Sequence, residues 1–171
     1  SVGYSLGQGY YCELKGIDTT AENLSQIEAE MQALVNRDIL IKKHSMKTSE
    51  AEQMFAECGM KDKERLIHYR RSSRVNLYRI EDMEDYFYGY MAPSTGMLKA
   101  FGLECYGEGF VLKFPNTVGD TVEPLVTSEK LYHTLRDSRK WSRMLDVGTI
   151  GALNDAIASG RGEEIVLLQE A

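Results

Sequence analysis

A hydrolytic or metal-binding centre needs histidine, cysteine or carboxylate groups converging on one point, commonly with a local pair such as H-x-x-x-H or C-x-x-x-H. This 171-residue chain has three histidines and three cysteines, and no such pair. His44, His68 and His133 are far apart and read as surface or packing residues. Cys12, Cys58 and Cys105 form neither a C-x-x-C pair nor a disulfide framework, and each is expected to be a small buried hydrophobe. Cys105 as a nucleophile would need a partner base, and the sequence shows none. The nucleophile elbow G-x-S-x-G and the phosphate loop G-x-x-x-x-G-K-[ST] are both missing. GYSLGQGY is glycine-rich but lacks the lysine and the following helix of a phosphate loop.

Two other clusters have chemical potential. EDMEDYF brings Glu81, Asp82, Glu84 and Asp85 together, enough carboxylates for Mg²⁺ or acid–base work, but a polar turn between two strands is the favoured reading. Directly after it, Tyr86, Phe87, Tyr88 and Tyr90 fall within five residues. In a strand the three tyrosines would share one face, able either to stack nucleobases or to cover a sheet. Upstream, KDKERLIHYRRSSR carries Arg65, Arg70, Arg71 and Arg74, a basic patch in a chain whose net charge is -6. The acidic balance argues against a stand-alone nucleic-acid binder while leaving room for local contact with phosphates.

The elements that would position these groups follow from periodicity. Tyr4 to Leu14 suits two short strands around a turn. From Thr19, TTAEN caps a helix whose Leu24, Ile27, Met31, Leu34 and Val35 form one apolar face. Ile39 to Ser45 is expected to be a strand. Thr48 should cap a second helix that ends at Gly59, and a short helix should cover Lys61 to Tyr69. RVNLYRI, DYFYGY, MLKAFGLECYG and GFVLKFP alternate as strands, predicting a meandering antiparallel sheet with helices packed on one face, an α+β domain over residues 1–115. PNTVGDTVEP, with two of the three prolines, marks a boundary near 116–126. Helices follow over 116–171: one with Leu131, Leu135, Trp141 and Leu145 on its apolar side, one closed by Gly160, and a last segment whose Ile165 to Leu168 ask for a partner. No apolar run reaches the roughly 20 residues of a membrane helix and no export signal is visible, so a cytoplasmic setting is expected.

VNLYRIEDMEDYFYGYMAPSTGMLKAFGL resembles the segment of threonyl-tRNA synthetases that runs S-L-Y-R, an acidic turn, D-L-C-R-G-P-H-x-P-S-T-G and K-A-F. Upstream, QGYYCEL and the helix with IEAEM resemble the same editing-type domain, so that the resemblance spans about Gly7 to Phe114. Against that pattern Phe87 stands where the family has its Cys, and Met91 where it has its His. Phenylalanine neither binds metal nor takes a proton, and a thioether is a poor replacement for imidazole. The resemblance therefore implies a former active cleft lined by Tyr86, Phe87, Tyr88, Tyr90, Met91, Pro93, Ser94 and Thr95, without hydrolysis, catalytic residues or bound metal. The turn itself would persist because its geometry needs Gly89, Pro93 and Gly96.

The carboxyl-terminal stretch from Trp141, WSRMLDVGTIGALNDAIASGRGEEIVLLQEA, resembles the connector of bacterial nucleoside kinases of the uridine kinase and phosphoribulokinase type. That resemblance implies a non-catalytic binding or regulatory domain, cofactor-free itself, whose parent would use ATP and Mg²⁺ in a kinase domain beyond this chain. The expected partners are that kinase domain, a small-molecule ligand and a second copy of the chain. The alternative is a tRNA- or RNA-binding module contacting its ligand through Arg65, Arg70, Arg71 and Arg74; an active deacylase is the least favoured reading.

Overall fold

The computed structural model describes residues 1–115, 121–126 and 129–170, and has the α+β character with antiparallel sheets that the periodicity predicts. In chain order its elements are β1 (Val2–Ser5), β2 (Gly9–Cys12), α1 (Ala21–Asn36), β3 (Lys42–Lys47), α2 (Thr48–Glu57), α3 (Lys61–His68), β4 (Arg74–Ile80), β5 (Met83–Tyr86), a 3₁₀ turn (Thr95–Met97), β6 (Gly102–Tyr106), β7 (Gly109–Lys113), α4 (Glu129–Met144), α5 (Ile150–Ala158) and α6 (Gly162–Glu170). The chain divides into two units, each assembled from two separate stretches. One comprises Ser1–Ile41 with Met91–Tyr132; the other comprises Lys42–Tyr90 with the chain from His133 onward.

In the first unit a four-stranded sheet has the order β1-β2-β7-β6, every pair antiparallel. Helix α1 starts where TTAEN places it, with the Thr20 hydroxyl accepting a hydrogen bond from the Asn23 N–H at 3.2 Å. The helix lies against β6 and buries Leu24 with Cys12 and Phe110, ringed by Leu14, Leu103 and Leu112.

The second unit holds a three-stranded sheet, β3-β4-β5. A two-residue turn at Glu81 and Asp82 joins β4 to β5, in the register that pairs Ile80 with Met83 and Leu77 with Tyr86. Helices α2 and α3 close its core, in which Ala51, Phe55, Ile67, Val75 and Leu77 are buried and Met46, Met54, Met60 and Tyr86 pack around them. Helix α5, capped by Thr149, packs on α3 and buries Ala152 and Ala156.

Several expectations are corrected. The strands between Arg74 and Phe114 form two hairpins in two different sheets rather than one meander, because each hairpin is completed by an earlier strand: β3 on β4, and β2 on β7. Such long-range pairings leave no mark in local alternation. The strand predicted from Ile39 begins only at Lys42, and Leu40 makes a lone bridge to Ser94. Thr48 is the first residue of α2, and its hydroxyl donates to the Ser72 carbonyl instead of capping the helix. Cys12 is buried as expected, but Cys58 and Cys105 are exposed. Leu131 and Trp141 on α4 are exposed, as are Val166, Leu167 and Leu168 on α6, whereas Ile165 is buried. Of the boundary region, residues 116–120 lie outside the described part of the chain. No helix among the described residues is long and apolar enough to cross a membrane.

Candidate functional site

The aromatic row and part of the basic patch meet in the second unit, around a depression of about 480 Å³. Its walls come from Lys43 on β3, from Arg70, Ser72 and Arg74 at the α3–β4 connection, and from the end of β5 and the loop after it. Among the described residues three cations and three tyrosines line it, and no carboxylate does. In a chain of net charge -6 this is a local inversion of sign. Such a surface favours anionic ligands, whatever the average charge of the molecule.

Arg70 is the centre of the arrangement. Its guanidinium carbon lies 5.3 Å from the centroid of Tyr86 and 5.0 Å from that of Tyr88, both within cation–π range. It also donates to the Tyr86 hydroxyl, while its Nε is buried without a hydrogen-bond partner among the described residues. On the other side, Lys43 Nζ is 5.2 Å from the Tyr90 centroid. Arg74 is held by its neighbours, donating through Nε to Ser45 Oγ at 3.0 Å and through Nη2 to the Ser45 carbonyl at 2.8 Å.

The tyrosines do not form the alternating row predicted for a strand, because β5 stops at Tyr86. The loop then turns through Gly89, whose φ of 135° is a conformation that L side chains rarely adopt. The buried Tyr78 anchors this loop by donating its hydroxyl proton to the Gly89 carbonyl at 2.6 Å. Phe87 packs edge-on against the same Tyr78 ring, with centroids 6.4 Å apart. Tyr88 and Tyr90 are consequently left 78% and 92% exposed, their rings available to a ligand. At the position where the synthetase pattern has a cysteine, Phe87 therefore braces the loop.

The remaining predicted cleft residues have a different task. Met91, Pro93, Ser94 and Thr95 belong to the first unit and do not line the depression. Pro93 and Thr95 pin the chain that leaves α1: the Pro93 carbonyl accepts from Ile41 N–H at 2.8 Å, and Thr95 N–H donates to Ile39 O at 2.9 Å. The buried Thr95 hydroxyl donates to Leu34 O at 2.7 Å and accepts from Ile39 N–H at 2.9 Å. Asp38, at φ 49°, accepts from the Ser94 hydroxyl and, at 3.1 Å, from the Gly96 N–H. PSTG is thus a clasp on the carboxyl end of α1, satisfying backbone groups that a helix end leaves open.

Of the four candidate arginines, only Arg70 and Arg74 reach the depression. Arg65 points to α5 and pairs with Asp155 at 3.2 Å, and Arg71 makes no ion pair among the described residues. Lys43 was not anticipated: its place follows from the register that sets it opposite Tyr78, and nothing in KKHSMK announces that pairing. Of the acidic cluster, Glu81 and Asp82 form the turn between two strands, whereas Glu84 and Asp85 lie on β5, Glu84 facing His44 at 3.1 Å and Asp85 paired with Lys63. His68 Nδ1 is 2.7 Å from Glu52. Among the described residues no group of three or more His, Cys, Asp or Glu is placed to hold a metal ion.

No protein-family model matches the chain. It is similar to threonine–tRNA ligase 2 of Bacillus subtilis, with 35% identity over 104 residues. Similarity extends to the threonine–tRNA ligases of Lawsonia intracellularis, 31% over 104 residues, and Methylobacillus flagellatus, 35% over 105 residues. Each match covers 60% of this chain and 16% of the relative, so the chain spans about one sixth of the length of these curated relatives. The kinase expectation draws no support from them. The matched part of the chain is threonyl-tRNA-synthetase-like, in keeping with the editing-type motifs read from its sequence.

Proposed function

We propose that the chain is a synthetase-like RNA-binding module that holds a single-stranded segment, such as the end of a tRNA, without hydrolysing it. The observation that carries this is the depression walled by Lys43, Arg70, Arg74, Tyr86, Tyr88 and Tyr90 with no carboxylate among them. Cations beside exposed aromatic rings are what a single strand needs: charge for the phosphates and flat faces for the unstacked bases. The similarity to proteins named threonine–tRNA ligases supports tRNA as the class of ligand. Phe87 and Met91, at the positions of the family's Cys and His, support binding without hydrolysis.

The test is binding of a fluorescently labelled oligouridylate RNA to the whole chain at several salt concentrations. With two or three phosphates neutralised, the logarithm of the binding constant should fall against the logarithm of salt with a slope of about -1.4 to -2.1. Tyr88→Ala and Tyr90→Ala should each weaken binding by about 1–3 kcal/mol. Arg74→Ala should lower the slope. Binding that ignores salt and both tyrosines, or no binding at all, overturns the reading.

A nucleoside kinase as the parent, with ATP and Mg²⁺ belonging to its kinase domain, is a second proposal resting on the likeness of the stretch from Trp141. With this chain as its regulatory domain holding the nucleoside as an effector, it predicts that uridine, rather than RNA, raises the thermal stability of this chain, since only a ligand of the native state does so.

A further inference from the structure

Helix α5 touches the groove's support without touching the groove. Its Asp155 receives two donors from α3, one turn apart: Arg65 Nε to Oδ2 at 3.2 Å, and the Tyr69 hydroxyl to Oδ1 at 2.8 Å. The contact is close because position 151 is glycine. A Cβ there would stand 2.6 Å from Arg65 Cβ, 3.0 Å from Leu66 N and 3.1 Å from Asp62 O, so any larger residue would drive the helices apart. Tyr69 closes α3 and is followed at once by Arg70, whose N–H donates to the Ile67 carbonyl at 2.9 Å. The last turn of α3 is therefore gripped by α5 through Arg65 and Tyr69, while the guanidinium of its exit residue lies over the rings of Tyr86 and Tyr88.

We propose that Asp155 and Tyr69 are positioning residues for the groove: by clamping the end of α3 they set where the Arg70 guanidinium stands over Tyr86 and Tyr88. An arginine fork is useful only in a fixed orientation; the Arg70 guanidinium is tied in the groove to the Tyr86 hydroxyl, while its buried Nε has no hydrogen-bond partner among the described residues. The clamp fixes the other end, the backbone from which the side chain departs. It also gives the segment after His133 a role in ligand binding that its distance from the aromatic row would not suggest. The affinity consequence rests on the RNA-binding reading; the geometric one does not.

The experiment compares the whole chain with Asp155→Asn and Tyr69→Phe, both at partly exposed positions where the fold has no core to lose. Amide and arginine Nε–H resonances are followed by ¹H–¹⁵N NMR, beside affinity for the same labelled oligouridylate. Both variants should move the Arg70 Nε–H signal and the amides of Tyr86 to Tyr90, Asp155→Asn because an amide NH₂ replaces the charged oxygen that faces Arg65, while Asp155→Glu, which keeps the carboxylate, should move them less. Affinity should fall by about 2- to 30-fold, the range of coupling carried through packed elements. If the changes stop at α3 and α5 and leave Arg70 and the loop untouched, the positioning role is wrong, whether or not RNA binds. If those signals move but the unaltered chain binds no RNA, the clamp stands and the RNA-binding reading falls.

Discussion

Thr95 shows how a residue assigned to a cleft can belong to a clasp. Its hydroxyl both donates to Leu34 O and accepts from Ile39 N–H, and the residue is buried. Replacing it with valine keeps the shape and removes both bonds, leaving two half-buried backbone groups without that partner. Thr95→Val should cost about 1–3 kcal/mol of stability in urea denaturation, and Thr95→Ser much less. Neither should alter oligouridylate affinity, because Thr95 does not line the groove. The cysteines give a second residue-scale prediction. Burial raises the Cys12 thiol above its ordinary pKa, and the side chain is enclosed, whereas Cys58 and Cys105 are exposed. In the native chain at neutral pH a thiol reagent should therefore label Cys58 and Cys105 quickly and Cys12 only on unfolding. The sequence could not divide the three, since spacing and residue type say nothing of which side of a strand or helix end faces solvent.

Among the elements, local signals were legible and distant partners were not. TTAEN, the glycine after α2 and the acidic turn of EDMEDYF each act within a few residues, and the start of α1, the end of α2 and the β4–β5 turn are found where they place them, although β5 covers Met83–Tyr86 rather than DYFYGY. The split into two sheets depends on β2 finding β7 and β3 finding β4, which no local alternation encodes. The groove was half legible for the same reason: Arg70, Arg74 and the tyrosines are marked by their own density, but Lys43 arrives through register. The α3–α5 contact lends itself to a pH test. Facing the Tyr69 phenol are Asp155 and Arg65, with His68 ring-on-edge beside it. The hydrogen bond to Asp155 is the largest cause raising its pKa, joined by burial and the Asp155 charge and opposed by Arg65. A raised pKa means that the folded state favours the protonated phenol, so this contribution to stability is whole below the unfolded value of about 10 and is lost as pH rises through the higher folded one. The stability difference between the unaltered chain and Tyr69→Phe should thus be constant from neutral pH to about pH 10 and shrink above it. A difference that grows with alkalinity would contradict the hydrogen bond.

For the whole molecule, the net charge of -6 and the basic groove together predict binding that is local, modest and salt-sensitive rather than spread over the surface. The order of the chain has a further consequence. Every residue of the groove, and the whole buried cluster of Ala51, Phe55, Ile67, Val75 and Leu77, lies within Lys42–Tyr90. The other sheet waits for β7 to pair with β2 across about a hundred residues. Pulse-labelling hydrogen exchange during refolding should find the amides of β4 and β5 protected before those of β2 and β7. During synthesis the same logic applies to a chain emerging from its amino end: once Tyr90 is clear of the ribosome, the groove has all its walls, while Asp155 has yet to be made. The helix that steadies the arginine is then a late arrival, locking a surface that earlier residues have already folded.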